Sequence, residues 1–290
     1  MRIALMVEGQ EGVSWEQWLA LAEACEEHGI DSMFRSDHYL SLADPDRVAS
    51  DAWTLLGALA ARTERLRLGT LVSPVTFRHP AVVAKAAATV DHVSGGRVEV
   101  GMGAGWMDDE HERFGIPFPE TTERVRLFAE HLEHVDRQLR DDPLVVQKPR
   151  PPLIVGGSAA RGTAEPAVRF ADEYNTYGVD PEEAGRRRRK LDEGCERHGR
   201  DPASLPFSVM TPFVLGRDHA RRFVEVFPNA GPADEWYEEL RRRGLAGGPV
   251  DLVDGLREFE AQGVERVMLQ HVVHDDPDVV AALGEIAAAL

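Results

Sequence analysis

The sequence predicts an α/β fold, a (β/α)₈ TIM barrel forming one domain over residues 1–290, with insertions at its strand-exit face. Three observations carry this expectation. Strand and helix patterns alternate from end to end, so each strand is followed by a crossover segment. The strands read as continuous apolar runs, the pattern of parallel strands covered on both faces. A length of 290 residues suits eight β-α units in a single domain. An open, doubly wound sheet is the alternative, because strand order is not written in the sequence.

Residues 3–7 form the first strand. Ser14 and Gln17 make a capping box for the first helix, whose Trp15, Trp18, Leu19, Ala22 and Cys25 share a face. Gly29 ends that helix, and residues 32–34 begin a second strand that exits into Arg35-Ser36-Asp37-His38. Residues 51–62 are the second helix. Segment 66–107 is a complete β-α-β unit. Its strand 66–72 is followed by a helix opened by Pro80, with Val82, Val83, Ala86, Ala87 and Val90 at helical spacing. Ser94-Gly95-Gly96 stops that helix, and residues 98–102 are strand four. Residues 120–139 are a long amphipathic helix, and strand five, 153–155, exits into Gly156-Gly157-Ser158. A helix over 163–170 carries Pro166 in its first turn, and a short strand over 172–177 precedes a strongly charged helix over 181–198. Residues 207–215 and 267–272 are strands seven and eight, and a helix over 277–290 closes the chain. Segments 108–119 and 221–248 interrupt the alternation and fall near the strand-exit rim.

The formal net charge of −17 disfavours a sequence-independent grip on nucleic acid, which needs clustered cations. The basic run 186–190 is flanked by Glu182, Glu183, Asp192 and Glu193 and reads as a solvated, salt-bridged helix. No window approaches the roughly 18 apolar residues of a membrane span. The first apolar run is too short for a signal segment, so a cytoplasmic protein is expected. Cys25 and Cys195 lie far apart on predicted helices and make neither a disulfide framework nor a zinc site. Asp108, Asp109, Glu110, His111 and Glu112 fit no metal-ligand spacing; as acids at a helix start they read as dipole partners, and no metal is expected.

Chemistry-bearing residues gather where strands leave the sheet. Asp37 and His38 follow strand two. A histidine beside a carboxylate can exchange protons near neutral pH, or the pair can be a loop cap and a solvated ring. Gly101-Met102-Gly103-Ala104-Gly105 lacks the spacing of a dinucleotide fingerprint. Its glycines either let a flat ligand approach bare backbone or let the strand narrow at the barrel top. Gly156-Gly157-Ser158 leads into a helix start, which is either an anion site supplemented by Arg161 and Thr163 or an ordinary loop.

Taken in order, several segments resemble the bacterial-luciferase-like family, specifically its F420-dependent oxidoreductase branch. They are Phe34-Arg35-Ser36-Asp37-His38-Tyr39-Leu40-Ser41, Gly69-Thr70-Leu71-Val72-Ser73-Pro74-Val75-Thr76-Phe77-Arg78-His79-Pro80, Ser94-Gly95-Gly96-Arg97, Gly103-Ala104-Gly105-Trp106, Phe114-Gly115-Ile116-Pro117-Phe118-Pro119 and Ile154-Val155-Gly156-Gly157-Ser158. The resemblance implies a (β/α)₈ barrel that binds a deazaflavin, coenzyme F420, at the strand exits. It implies that Asp37 and His38 lie near the ring and that Leu71 and Val72 form a supporting bulge, often with a non-prolyl cis peptide. Thr76, Gly105 and Trp106 would line the ring and ribityl path, and Gly156, Gly157 and Ser158 would hold the phosphate. Arg161 and Arg78 are candidates for the anionic glutamyl tail.

By the same resemblance the activity is hydride transfer between the deazaflavin and a small organic substrate. His38 would be the acid/base that moves the accompanying proton. An FMN-dependent monooxygenase and a non-catalytic flavin or F420 binder are the alternatives. The sugar-phosphate dehydrogenases of this branch carry a Glu where Trp106 stands and a Lys near Val179, so a sugar phosphate is not the expected substrate. Relatives commonly form homodimers. The segment between the long helix and strand five is short here, which implies a more open pocket or one completed by a partner subunit.

Overall fold

In the computed structural model, which describes residues 1–290, parallel strands wind once around a closed barrel. The first half of the chain contributes β1 (Arg2–Val7), α1 (Trp15–Glu27), β2 (Ser32–Arg35), α2 (Ala52–Ala60), β3 (Arg67–Thr70), β4 (Ser73–Pro74), α3 (Pro80–Ser94), β5 (Val98–Gly103), α4 (Asp108–Phe114) and α5 (Thr121–Asp141). There follow β6 (Leu153–Gly156), α6 (Arg161–Phe170), β7 (Glu173–Tyr177), α7 (Pro181–Arg197), β8 (Phe207–Pro212), α8 (Gly216–Val226), α9 (Ala233–Arg242), α10 (Pro249–Ala261), β9 (Arg266–His271) and α11 (Asp278–Ala289). The hydrogen-bonded order is β3-β2-β1-β9-β8-β7-β6-β5-β4, and β3 also pairs with β5. That last pairing closes the sheet and excludes the doubly wound alternative. β3 and β4 are one barrel stave, broken at Leu71–Val72, whose peptide is cis.

The local signals act largely as the sequence indicates. Ser14 Oγ accepts from Gln17 N at 3.2 Å and Gln17 Oε1 accepts from Ser14 N at 2.8 Å, completing the capping box of α1. Pro80 opens α3, and Gly95, at φ +68°, ends it in the left-handed region a side chain rarely adopts. Three details differ. Trp15 and Val82 are exposed, because the inward stripes run through Trp18, Leu21, Ala22 and Cys25 on α1 and through Val83, Ala84, Ala87 and Ala88 on α3. Helix α6 starts two residues earlier than expected, which places Pro166 in its interior rather than its first turn. The interruption between β8 and β9 is an α8–α9 pair, with α10 as the crossover helix behind it.

Strand periodicity divides the barrel interior into tiers. Its middle is apolar, from Ala4, Met6, Phe34, Leu71, Ile154 and Met268. Below it, at the strand starts, Arg266 Nη2 lies 2.8 Å from Glu99 and 2.6 Å from Glu173. Stepping by two along each strand carries Ala4 and Met6 to Glu8, Glu173 and Asn175 to Tyr177, and Arg266 and Met268 to Gln270. Those three polar residues form the upper tier at the strand exits. The short segment before β6 lies at the opposite end. Gln147 donates to Asp91 at 2.7 Å and to the carbonyl of Val98, the first residue of β5, at 2.8 Å. Its shortness therefore does not open the strand-exit mouth, contrary to the expectation above.

Between α8 and β9, the buried rings of His219, His271 and His274 form a chain with centroids 6.1 and 6.2 Å apart. Burial pushes His219 and His274 down to about 4, only partly opposed by Asp276 and Asp275 respectively. Burial, then the neighbouring histidines and Arg222, hold His271 well below its usual value. The unfolded chain protonates these rings near pH 6.5, before the folded chain can, so stability is lost as pH falls from there toward 4. Each ring contributes a slope of about 1.4 kcal/mol per pH unit within that window. Denaturant midpoints are expected to drop between pH 7 and 5, and His271→Leu is expected to flatten the drop. An unchanged slope in that variant would refute the assignment.

Candidate active site

The staves β3/β4, β5 and β6 build one wall of the strand-exit mouth. At its centre is Val72. A methyl group added to Gly103 would stand 2.6 Å from Val72 Cγ2, one on Gly156 3.0 Å from Val72 Cγ1, and one on Gly101 3.2 Å from the same atom. Gly103 and Gly156 therefore make room for Val72, whereas a methyl on Gly101 would first meet the Thr70 carbonyl oxygen, so that glycine serves the close approach of two staves. Leu71 turns into the apolar interior, while Val72 remains half-buried at the mouth. Gly105, at φ +81°, leaves the strand in a left-handed turn beside Thr76. Trp106 follows it and is exposed.

His38 leaves β2 and meets a carboxylate that the sequence reading assigned elsewhere. Its Nδ1 lies 2.7 Å from Glu110 Oε1, and Glu110 Oε2 accepts from the Tyr39 N–H at 3.1 Å. Glu110 is buried, and the Trp106 ring meets the His38 ring edge-on at 5.6 Å. With Nδ1 committed to Glu110, Nε2 is the nitrogen left for proton exchange. Burial acts to lower the His38 pKa, but the bond and charge of Glu110, aided by Glu8 and Asp37, outweigh it and the pKa is raised.

The next residue, His111, is buried as well. Its Nδ1 lies 2.6 Å from the Met107 carbonyl, which can only accept, so that nitrogen carries the proton. In the neutral ring Nε2 then accepts from Thr76 Oγ1 at 2.7 Å, leaving the hydroxyl's lone pairs toward the mouth. Glu110 and His111 are thus not simply dipole partners at the start of α4. Their signal in the sequence was positional: they fall three and four residues after Met107, which is buried on the same face.

Asp37 and Arg78 also take different places from those expected. Asp37 is fully buried, accepting from Ser73 Oγ at 2.6 Å and from both Arg78 guanidinium nitrogens at 2.6 and 3.1 Å. Arg78 further donates to Tyr39 at 2.6 Å and pairs with Asp51. Asp51 is held at about 2 because the Thr54 N–H and Arg78 outweigh its partial burial. Asp37 therefore anchors Arg78 beneath the His38 loop, and the Arg78 charge is shared between Asp37 and Asp51.

Beyond Gly156, a methyl on Gly157 would stand 2.6 Å from Thr163 Oγ1. The Tyr174 hydroxyl fixes this turn, 2.8 Å from both Ala159 N and Thr163 Oγ1. Helix α6 has no side-chain cap, and the N–H groups of Ser158, Arg161 and Gly162 meet no protein acceptor. The helix start thus offers an array of free donors backed by the helix dipole. Arg161 stands exposed at its rim, bonded only to Glu165 at 2.7 Å. His38, Trp106, Thr76, Val72 and the Gly-Gly-Ser turn accordingly share one continuous wall, with Asp37 and Leu71 behind it.

The luciferase-like monooxygenase family matches residues 2–282. A protein named F420-dependent glucose-6-phosphate dehydrogenase from Beutenbergia cavernae is 31% identical, over 90% of this chain and 80% of its own length. One of the same name from Microbacterium testaceum is 34% identical, over 87% and 78%. Among solved structures, an F420-dependent secondary alcohol dehydrogenase in complex with an F420–acetone adduct superimposes with a TM-score of 0.80 at 20% identity, over 98% of this chain and 97% of that one. A monooxygenase from Streptomyces bottropensis gives 0.82 at 20% identity, over 100% and 99%. The two structural likenesses speak for the barrel, and the match along nearly the whole sequence goes further: the chain belongs to the luciferase-like monooxygenase family.

Proposed function

We propose that this protein is an F420-dependent oxidoreductase in which His38 exchanges a proton with a small organic substrate. The observation that carries the reading is the His38 ring, held by buried Glu110 with Nε2 free, beside the wall formed by Val72, Thr76 and Trp106. The names of the relatives at 31% and 34% identity support the choice of F420. The residues also fit such a group. The free N–H groups of Ser158, Arg161 and Gly162 would take its phosphate, and Val72 would support the ring. Thr76 would accept a hydrogen bond from it, and Arg161 would meet the glutamyl tail at the rim. When bound, the deazaflavin supplies or accepts hydride; the protein orients the reacting carbon and moves the proton.

The raised pKa of His38 enlarges the protonated fraction near neutral pH. Substrate reduction, which consumes a proton, is expected to slow as pH rises through that pKa, and substrate oxidation to speed up. Assembly as a homodimer belongs to the same reading and rests on the resemblance alone. Titration of the purified apoprotein tests the cofactor assignment. Binding of F420 in the micromolar range, with FMN much weaker, is expected; micromolar FMN affinity with none for F420 overturns it in favour of the flavin monooxygenase.

A further inference from the structure

The wall opposite Val72, formed by β7, β8, β9 and β1, has no part in holding the cofactor as described above. Its upper tier contains Glu8, Tyr177 and Gln270. Glu8 is 7% exposed and forms no ion pair, whereas Glu11, Asp37, Glu99, Glu110, Asp142 and Glu173, also buried, each face a cationic side chain or a histidine. Asp91, the other buried acid without one, is enclosed by three N–H donors from Val146 and Gln147.

Glu8 receives only one amide on each oxygen, from Gln270 Nε2 at 2.6 Å and from Gln10 Nε2 at 2.9 Å. The Gln10 amide is fixed in that orientation because its Oε1 accepts from Ser36 Oγ at 2.5 Å, and Ser36 Oγ in turn accepts from Gly9 N at 2.9 Å. A carboxylate has about four acceptor positions, so two remain open. A charge taken out of water and only half satisfied calls for a further donor. Arg35 and His38 feel the Glu8 charge, but neither pairs with it. Tyr177 stands exposed at the exit of β7, two staves from β9.

Resting on the oxidoreductase reading, we infer that Glu8, held by Gln10 and Gln270, is a specificity residue that grips a hydrogen-bond-donating group of the substrate, a hydroxyl or a protonated amine, beside the group that reacts at His38. A phosphate or carboxylate in that position would bring a like charge against a buried carboxylate that forms no ion pair. Besides the buried Arg35, a cation near this wall is Arg243, on the Tyr177 side. It is tied to the Val179 carbonyl at 3.2 Å and faces Glu239, and it would be the anchor if the substrate were phosphorylated.

The test uses F420-loaded wild type and Glu8→Gln, with 1-amino-2-propanol, 2-propanol and glucose 6-phosphate as probes. Binding is followed by the change in F420 fluorescence, and turnover by F420 reduction. The amino alcohol and the neutral alcohol are expected to bind at least tenfold more tightly than the phosphate. Glu8→Gln is expected to weaken the amino alcohol tenfold or more and the neutral alcohol less, while F420 affinity stays within twofold. A larger loss for the neutral alcohol would assign the grip to a hydroxyl. Preference for glucose 6-phosphate, no binding of either donor probe, or unchanged affinities in the variant each overturn the inference. If F420 itself does not bind, the cofactor reading fails separately, and the same titrations on FMN-loaded protein still decide the role of Glu8.

Discussion

Replacement of His38 by alanine is expected to lower kcat by about 10²–10⁴-fold, the usual contribution of a positioned acid or base, while F420 affinity changes little. The separation follows from the geometry. His38 Nε2 has no protein partner, whereas Val72, Thr76 and the Gly-Gly-Ser turn belong to other staves and keep their contacts when the imidazole is removed. Glu110→Gln gives a sharper readout. It is nearly isosteric but withdraws the charge that raises the His38 pKa, so the kinetic pKa should move to lower pH. A structural role for Glu110 would instead reduce activity at every pH without moving the profile. The measurement is the pH dependence of kcat/KM in both directions with a substrate that turns over. Unchanged turnover in His38→Ala removes His38 from the chemistry.

The barrel was legible because its signals are local. Alternating apolar strands and capped helices need only a window of about ten to fifteen residues, and the Ser14–Gln17 box and the Pro80 start behave as their spacing indicates. The resemblance located the wall but not its wiring. Asp37 and Arg78 both occur in matching segments, yet they pair with each other at 2.6 Å and Asp37 is fully buried, and pairing across 41 residues has no local signature. Glu110 and His111 were hidden for a similar reason. Acids at a helix start have an adequate explanation in the helix dipole, and only tertiary packing shows which of them turn inward. Glu8 was within reach, since the period-two pattern Ala4, Met6, Glu8 continues the inward face past the end of the apolar run. The His219–His271–His274 chain was not, because α8 and β9 are brought together only by barrel closure.

Substitution of Arg266 by alanine is expected to be the most destabilising single change at the base of the barrel, by about 3–5 kcal/mol at neutral pH. Arg266 is 1% exposed and bridges Glu99 and Glu173, and its guanidinium lies 5.0 Å from the centre of the Phe34 ring. Without it, Glu173 has no buried cationic partner, and Glu99 retains only Arg67 at 2.7 Å. Burial already raises the Glu173 pKa against the pull of Arg266, and loss of the arginine drives it higher. Glu99, held low mainly by Arg266 against its burial, rises too. Carboxylates with folded pKa values above those of the unfolded chain cost stability at high pH, and that cost fades as they protonate on acidification. The stability difference between wild type and Arg266→Ala should therefore narrow from pH 7.5 to 5.5 in urea denaturation, although the histidine chain lowers both curves. The combined variant Arg266→Met, Glu99→Gln, Glu173→Gln removes the charges together and should recover much of the loss. A single-variant deficit that is constant with pH would mean lost packing against Phe34. A narrowing deficit identifies stranded charge at the base of the staves β7 and β9, whose upper ends carry Tyr177 and Gln270.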